Sequence, residues 1–181
     1  DVFSKVLLQK KIFSFLSNQL GSDLSHHDDP SLTLNMSSKN DSEKNYHFKN
    51  WHQELWSGAG TSTLALWTPI IHHSSKLGQL ELIKGSHLWG HVPHRNRELL
   101  EIPKKYNVKK INLEFGDVLI FHSLLLHRSS RMISNKFNAR VSLVSHIKNF
   151  KNDNLAFNIN KDWKIFSRSE LTLIEMQLGN H

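Results

Sequence analysis

The chain has 181 residues, 38% of them apolar and 22% charged, which is enough for the core of one domain of ordinary size. No run approaches eighteen apolar residues, so no membrane-spanning helix is expected. The absence of cysteine excludes disulfides, thiolate metal sites and cysteine nucleophiles. The excess of 23 Lys and Arg over 16 Asp and Glu is scattered, with no basic stripe interleaved with aromatics, so it reads as a solvated basic surface. Nucleic acid is therefore not an expected partner. Thirteen histidines in a cysteine-free chain direct the search to a metal site built from nitrogen and oxygen. The first twenty residues carry three spread lysines and no small-residue cleavage site, so no secretory leader is expected and the cytoplasm is the expected location.

In chain order, Val2, Val6, Leu7, Ile12, Phe13, Phe15, Leu16 and Leu20 recur near helical spacing and predict an amphipathic helix over residues 2–20, stopped by Gly21. Residues 21–30 are polar and turn-rich and predict a loop. Residues 31–36 alternate, with Leu32, Leu34 and Met36 on one face and Thr33 and Asn35 on the other, which is strand periodicity. Residues 37–45 form a polar stretch. Short strand-like runs follow at 48–54, 62–68, 79–83, 110–113, 118–121 and 139–147. Gly78, Gly85, Gly90, Pro93 and Gly116-Asp117 punctuate them. Residues 95–100 could form a turn or two of helix. Many short strands with turns between them predict a mainly β sandwich or barrel. Ser167 followed by Glu170 is a capping-box pattern that predicts a short C-terminal helix to Leu178, stopped by Gly179. No internal repeat or long linker interrupts the chain, so a single domain over residues 1–181 is expected.

The chemistry concentrates at Trp51-His52-Gln53-Glu54. On a strand, residues two apart project from one face, so His52 and Glu54 would point at one spot and Gln53 away from it. Two ligands hold a metal poorly, and a third must come from elsewhere. His127 is the best candidate. It follows the turn Gly116-Asp117 and the apolar run Val118-Leu119-Ile120-Phe121, so it would stand on a neighbouring strand. Two imidazoles and one carboxylate form the face used by non-haem iron(II) oxygenases, with three adjacent positions left open. Two of these suit a chelating keto acid and the third suits O2. Arg140, thirteen residues after His127, shares a strand face with Ser142. Its planar, permanently charged fork suits the far carboxylate of 2-oxoglutarate, and Ser129 and Ser142 offer hydroxyl donors to the same group.

Across residues 45–146 the chain resembles the phytanoyl-CoA dioxygenase family of iron(II), 2-oxoglutarate oxygenases. The resemblance rests on four pieces in the family's order. They are Trp51-His52-Gln53-Glu54, then Gly78-Gln79-Leu80 leading to Lys84-Gly85-Ser86-His87, then Gly116-Asp117 through His127-Arg128-Ser129, and finally Asn135 with Arg140. It implies a double-stranded β-helix, a cupin-like jelly roll, with flanking helices that include an N-terminal one. It implies Fe(II) held by His52, Glu54 and His127, 2-oxoglutarate anchored by Arg140 and Ser129, and Trp67 lining the co-substrate pocket. Asn35 offers a further polar contact but is not counted among the anchors. The family usually has Asp where this chain has Glu54, which keeps the charge and the oxygen ligand on an arm one methylene longer.

The reaction so implied is hydroxylation of an unactivated carbon in a small organic substrate, consuming O2 and releasing succinate and CO2. Two other readings remain open: an inactive cupin-like binding module, and a cupin metal enzyme that does not use 2-oxoglutarate. Neither substrate identity nor oligomeric state is legible. The remaining histidines read as ordinary ones. His122 reads as a packing residue, His87 as a structural hydrogen bonder, and His26-His27 and His72-His73 as loop residues. His91, His94 and Trp56 could border a substrate pocket, but surface or core placement accounts for them equally well; Arg128 and Arg131 read first as ordinary arginines, with contact to an anionic substrate at the site mouth as the lesser reading.

Overall fold

The computed structural model describes residues 2–28, 30–37, 49–57, 59–71, 79–96, 98–101, 106–130, 132, 139–151 and 163–177. In chain order the elements are α1 (Val2–Leu7), α2 (Lys10–Leu20), β1 (Leu24–His27), β2 (Ser31–Met36), β3 (Thr63–Pro69), β4 (Leu80–Ile83), β5 (His94–Arg95), β6 (Glu98–Leu99), β7 (Val108–Ile111), β8 (Leu119–His122), β9 (His127–Ser129), β10 (Ala139–Asn149), β11 (Trp163–Ser167) and α3 (Glu170–Gln177). They fall into two compact units, residues 1–29 with 146–181, and residues 30–145. No helix among the described residues is long and apolar enough to cross a membrane.

The first unit departs from the sequence reading at several points. The expected single N-terminal helix is two helices, broken at Gln9, whose backbone is extended (φ −60°, ψ 133°). Leu7 and Leu16 are both fully buried. In one continuous helix nine residues turn the chain through about two and a half revolutions, which would set these two leucines on opposite faces. The break lets both be buried. Gly21 does end α2. Its φ of 83° lies in the region that favours glycine, and its N–H donates to Ser17 O at 2.8 Å.

The loop expected at 21–30 contains strand β1, which pairs antiparallel with β10 on one edge and β11 on the other. Leu24, Ser25 and His26 are consecutive and all buried. A strand covered on both faces shows no polar–apolar alternation, so local periodicity could not find it. The C-terminal helix is present, but its cap is Ser169 rather than the Ser167–Glu170 pair. Ser169 Oγ accepts from the Thr172 N–H at 3.2 Å, and the Ser169 N–H donates to Asp23 Oδ1 at 2.8 Å.

The second unit holds the mainly antiparallel β architecture that the sequence predicts. β2 pairs with β10 from Val144↔Ser31 to Ala139↔Met36, β10 lies beside β3, and β3 pairs with β8 from Leu64↔His122 to Trp67↔Leu119. A second sheet has the order β7–β4–β9. Ala65, Trp67, Phe121 and Val144 from the first sheet meet Leu80 of β4, with Leu125, in one buried cluster, so the two sheets share a core in the manner of a jelly roll. The runs at 62–68, 79–83, 110–113, 118–121 and 139–147 appear as β3, β4, β7, β8 and β10, displaced at their ends by one or two residues.

Two expectations in this unit are corrected. The run at 48–54 is not a regular strand. Within its described part, His52 makes an isolated bridge to His127, and Glu54 opens a 3₁₀ turn, Glu54–Ser57. The helical turn expected at 95–100 is instead the hairpin β5–β6, reversed at Asn96, whose φ is +52°. Asparagine tolerates that left-handed conformation better than other non-glycine residues, and it ends any helical continuation. Residues 38–45 of the polar stretch, Gly78, His72-His73, Arg131, Asn135 and Leu178-Gly179 lie outside the described residues.

Candidate metal centre

His52 and His127 are brought together by backbone before any side chain is considered. Each donates its N–H to the other's carbonyl, at 3.0 and 3.1 Å, which locks the two segments in register. Their rings then stand 4.2 Å apart between centroids. Glu54 joins them from the start of the 3₁₀ turn. Its Oε1 lies 3.1 Å from His127 Nε2 and 3.5 Å from His52 Nε2. Candidate ligand atoms of the three buried residues all lie within 4.8 Å of one another. The strand assumed from the sequence is absent at Glu54, yet the side chains converge.

The tautomers of both histidines are set by the chain. His52 Nδ1 faces Asn50 O at 2.6 Å, and His127 Nδ1 faces Leu125 O at 2.9 Å. A carbonyl only accepts, so each Nδ1 carries a proton and donates it, and Nε2, which faces Glu54, is the ring atom left to bind a metal. Backbone carbonyls orient metal-binding imidazoles in the same way. Burial, reinforced by the neighbouring His52, lowers the pKa of His127 below its usual value despite the opposing pull of Glu54. The neutral ring is the form that can ligate a metal. Two imidazole nitrogens and one carboxylate make a borderline donor set that suits iron(II) and leaves positions open.

A cavity of about 230 Å³ runs from these three residues to Arg140. Its wall includes Trp67, Ser129, Asn35, Thr33, Lys49, Leu80 and Val144. Arg140 is only 2% exposed. Its Nη2 donates to Ser129 Oγ at 2.8 Å, and its guanidinium carbon lies 4.9 Å over the Trp67 ring. Nε and Nη1 of Arg140 are buried with no partner among the described residues. Burial lowers its pKa to about 10, still protonated at neutral pH. A buried cation with two unused donors, opening on a cavity, matches a ligand carboxylate.

The structure thus brings His52, Glu54, His127, Arg140, Ser129 and Trp67 to one cavity. Ser142 shares the buried face of β10 with Arg140 and its Oγ has no partner among the described residues, but it does not line the cavity. Asn35 belongs more firmly than the sequence suggested. β2 turns it inward at 3% exposure while Leu32 is 66% exposed, the reverse of a hydrophobic-in strand. It lies opposite Arg140 in register, its Nδ2 donates to Ser130 O at 3.2 Å, and its Oδ1 has no partner among the described residues. The available signal was a polar residue on the strand face away from the leucines.

Elsewhere, His122 Nδ1 accepts from the Leu124 N–H at 3.1 Å, a structural role. His26 and His27 lie on β1 and not in a loop. Trp56 stacks on His94 with 4.3 Å between ring centroids, and Arg128 covers Trp51 while pairing with Glu81 at 2.6 Å.

Solved structures share this fold. The non-heme monooxygenase ThoJ, in its apo form, superposes with a TM-score of 0.65 at 16% identity, covering 92% of this chain and 61% of that one. The non-heme alpha-ketoglutarate-dependent epimerase SnoN from nogalamycin biosynthesis gives 0.61 at 13% identity, covering 92% of this chain and 73% of that one. EvdO2 from Micromonospora carbonacea var. aurantiaca, complexed with 2-oxoglutarate, gives 0.54 at 14% identity, covering 81% and 63%. The chain therefore spans about three fifths of the length of ThoJ. No curated protein matches it. The family model described as phytanoyl-CoA dioxygenase (PhyH) matches residues 3–141, more than three quarters of the sequence. With that match extending over both the His52–Glu54 and His127–Arg140 segments, the chain belongs to the phytanoyl-CoA dioxygenase family.

Proposed function

We propose that the chain is an Fe(II)- and 2-oxoglutarate-dependent dioxygenase that hydroxylates an unactivated carbon of a small organic substrate, releasing succinate and CO2. His52, Glu54 and His127 are the metal ligands in this reading, and Arg140 and Ser129 hold the far carboxylate of 2-oxoglutarate. The observation that carries it is the buried, half-unpaired guanidinium of Arg140 in the cavity of the His–Glu–His cluster. A metal enzyme that used no keto acid would have no need of that cation, and neither would an inactive module.

Bound iron with 2-oxoglutarate and O2 supplies the oxidising power to take hydrogen from carbon; the protein supplies position and exclusion of water. The carbonyls of Asn50 and Leu125 keep both imidazoles in the ligating tautomer. Glu54 brings the single negative charge. Trp67 lies against the Arg140 guanidinium and helps hold it in the cavity, where Nε and Nη1, unpaired among the described residues, suit a carboxylate. Asn35 Oδ1, a bare acceptor in the same cavity, suits a hydroxyl or a water bound beside the co-substrate. We further infer one oxygenase domain over residues 1–181, because β10 is a single unbroken strand that contributes residues to both compact units.

The test is turnover. With Fe(II), 2-oxoglutarate and O2, a panel of small organic substrates should contain one whose hydroxylated product appears one-for-one with succinate. Substrate conversion that proceeds unchanged without 2-oxoglutarate would instead favour the keto-acid-independent metal enzyme.

A further inference from the structure

Gln53 lies between two of the proposed ligands, and its side chain does not line the cavity that they share. It is 0% exposed. Its amide makes three hydrogen bonds, all to backbone. Nε2 donates to Gly90 O at 2.8 Å and to Leu124 O at 2.7 Å, while Oε1 accepts from the Val92 N–H at 3.0 Å. Two carbonyls on one end and an N–H on the other fix which way the amide faces. Only a neutral amide can donate twice and accept once here. A carboxylate of the same shape would set oxygen against two carbonyls, and methionine would offer no donors.

The partners of Gln53 belong to the segments that control His127. Leu124 is followed by Leu125, whose carbonyl accepts the His127 Nδ1 proton at 2.9 Å. Gly90 follows the 3₁₀ turn Ser86–Trp89, and Ser86 Oγ accepts from the Leu126 N–H at 2.8 Å. The residue that separates His52 from Glu54 therefore also anchors the turn that presents the third ligand. We infer that Gln53 is a positioning residue for the metal centre. The backbone bridge sets the register of residues 52 and 127; the Gln53 amide holds the turn at Leu124–Leu125, and with it the orientation of the His127 ring, and so tunes metal affinity without being a ligand. This inference rests on the proposed ligand set.

The measurement is titration of the apoprotein with Co(II), read by its visible d–d bands, alongside a thermal melt of each apoprotein. Gln53→Met, close in volume and without polar atoms, should weaken Co(II) binding at least tenfold. The intensity of its bands should also change, because the coordination geometry is altered. Gln53→Glu should do the same. Ser86→Ala, which loosens the same network from its far side, should weaken binding less, by a few-fold. In each case the loss should persist well below the variant's own melting temperature, where the protein is folded. A merely structural residue would lower the melting temperature and leave affinity and spectrum unchanged in the folded protein. Wild-type Co(II) affinity and spectrum in folded Gln53→Met would therefore overturn the inference and leave the ligand set standing. So would a Gln53→Met protein that cannot fold even in the cold, since the residue would then serve the fold itself. If the wild-type protein binds no Co(II), the ligand set fails and the inference with it.

Discussion

His127→Ala is expected to lower Fe(II) affinity by more than about 100-fold and to bring 2-oxoglutarate turnover to background. Loss of a residue that only orients a ligand already costs 10- to 100-fold in affinity, as an order of magnitude, and His127 is proposed as the ligand itself. The surrounding fold should survive, because the reciprocal bonds between residues 52 and 127 are made by backbone. What is lost locally is the ring packed edge-on against Phe121 and the 3.1 Å contact to Glu54. Deleting a buried, packed ring leaves a cavity that costs about 2–5 kcal/mol, so the apoprotein should also melt several degrees lower. Isothermal titration with Fe(II) under nitrogen reads the first effect, and succinate formation the second. Undiminished succinate formation by His127→Ala, together with His52→Ala, would refute the ligand assignment.

Replacing Arg140 with methionine should act in opposite directions on binding and on stability. Removing one partner of a buried, hydrogen-bonded charge pair costs about 2–5 kcal/mol, so the dissociation constant for 2-oxoglutarate should rise by roughly 30- to 5,000-fold. Iron binding should change little, since Arg140 is not one of the candidate ligands. Yet Arg140 is a buried cation with two nitrogens that have no partner among the described residues. An apolar residue of similar volume removes that desolvation cost and should stabilise the apoprotein by about 1–4 kcal/mol. Arg140→Lys should not rescue binding, because a point charge lacks the planar fork and its stacking on Trp67. Binding of 2-oxoglutarate by calorimetry and melting of the apoprotein give the two readings. A variant that keeps wild-type affinity for 2-oxoglutarate would remove Arg140 from its proposed role.

His127 and Arg140 were visible in the sequence because each belongs to a segment that reads as a strand after a turn or an apolar run. The His52–Glu54 pair was visible because its members stand two residues apart, the spacing that shares a strand face. Strand spacing alone does not account for the site. Glu54 reaches the site from a 3₁₀ turn, not from a strand, and the convergence owes as much to the backbone bridge between residues 52 and 127. Other features were illegible for physical reasons. β1 is buried on both faces and shows no alternation. The break at Gln9 follows from the need to bury Leu7 and Leu16 together, which no single-helix pattern encodes. Asn35 is defined by its register with β10, more than one hundred residues away in sequence. The partners of Gln53 are backbone groups 37, 39 and 71 residues distant, and backbone groups leave no mark on composition.

The two imidazoles, the carboxylate and the guanidinium are held to serve one bound pair, Fe(II) and 2-oxoglutarate. Under nitrogen, adding 2-oxoglutarate to the Fe(II)-loaded wild-type protein should produce a weak visible charge-transfer band. The band should saturate at one equivalent and be absent from Arg140→Met at the same concentrations. A wild-type protein that binds Fe(II) and develops no band at saturating 2-oxoglutarate would contradict the account.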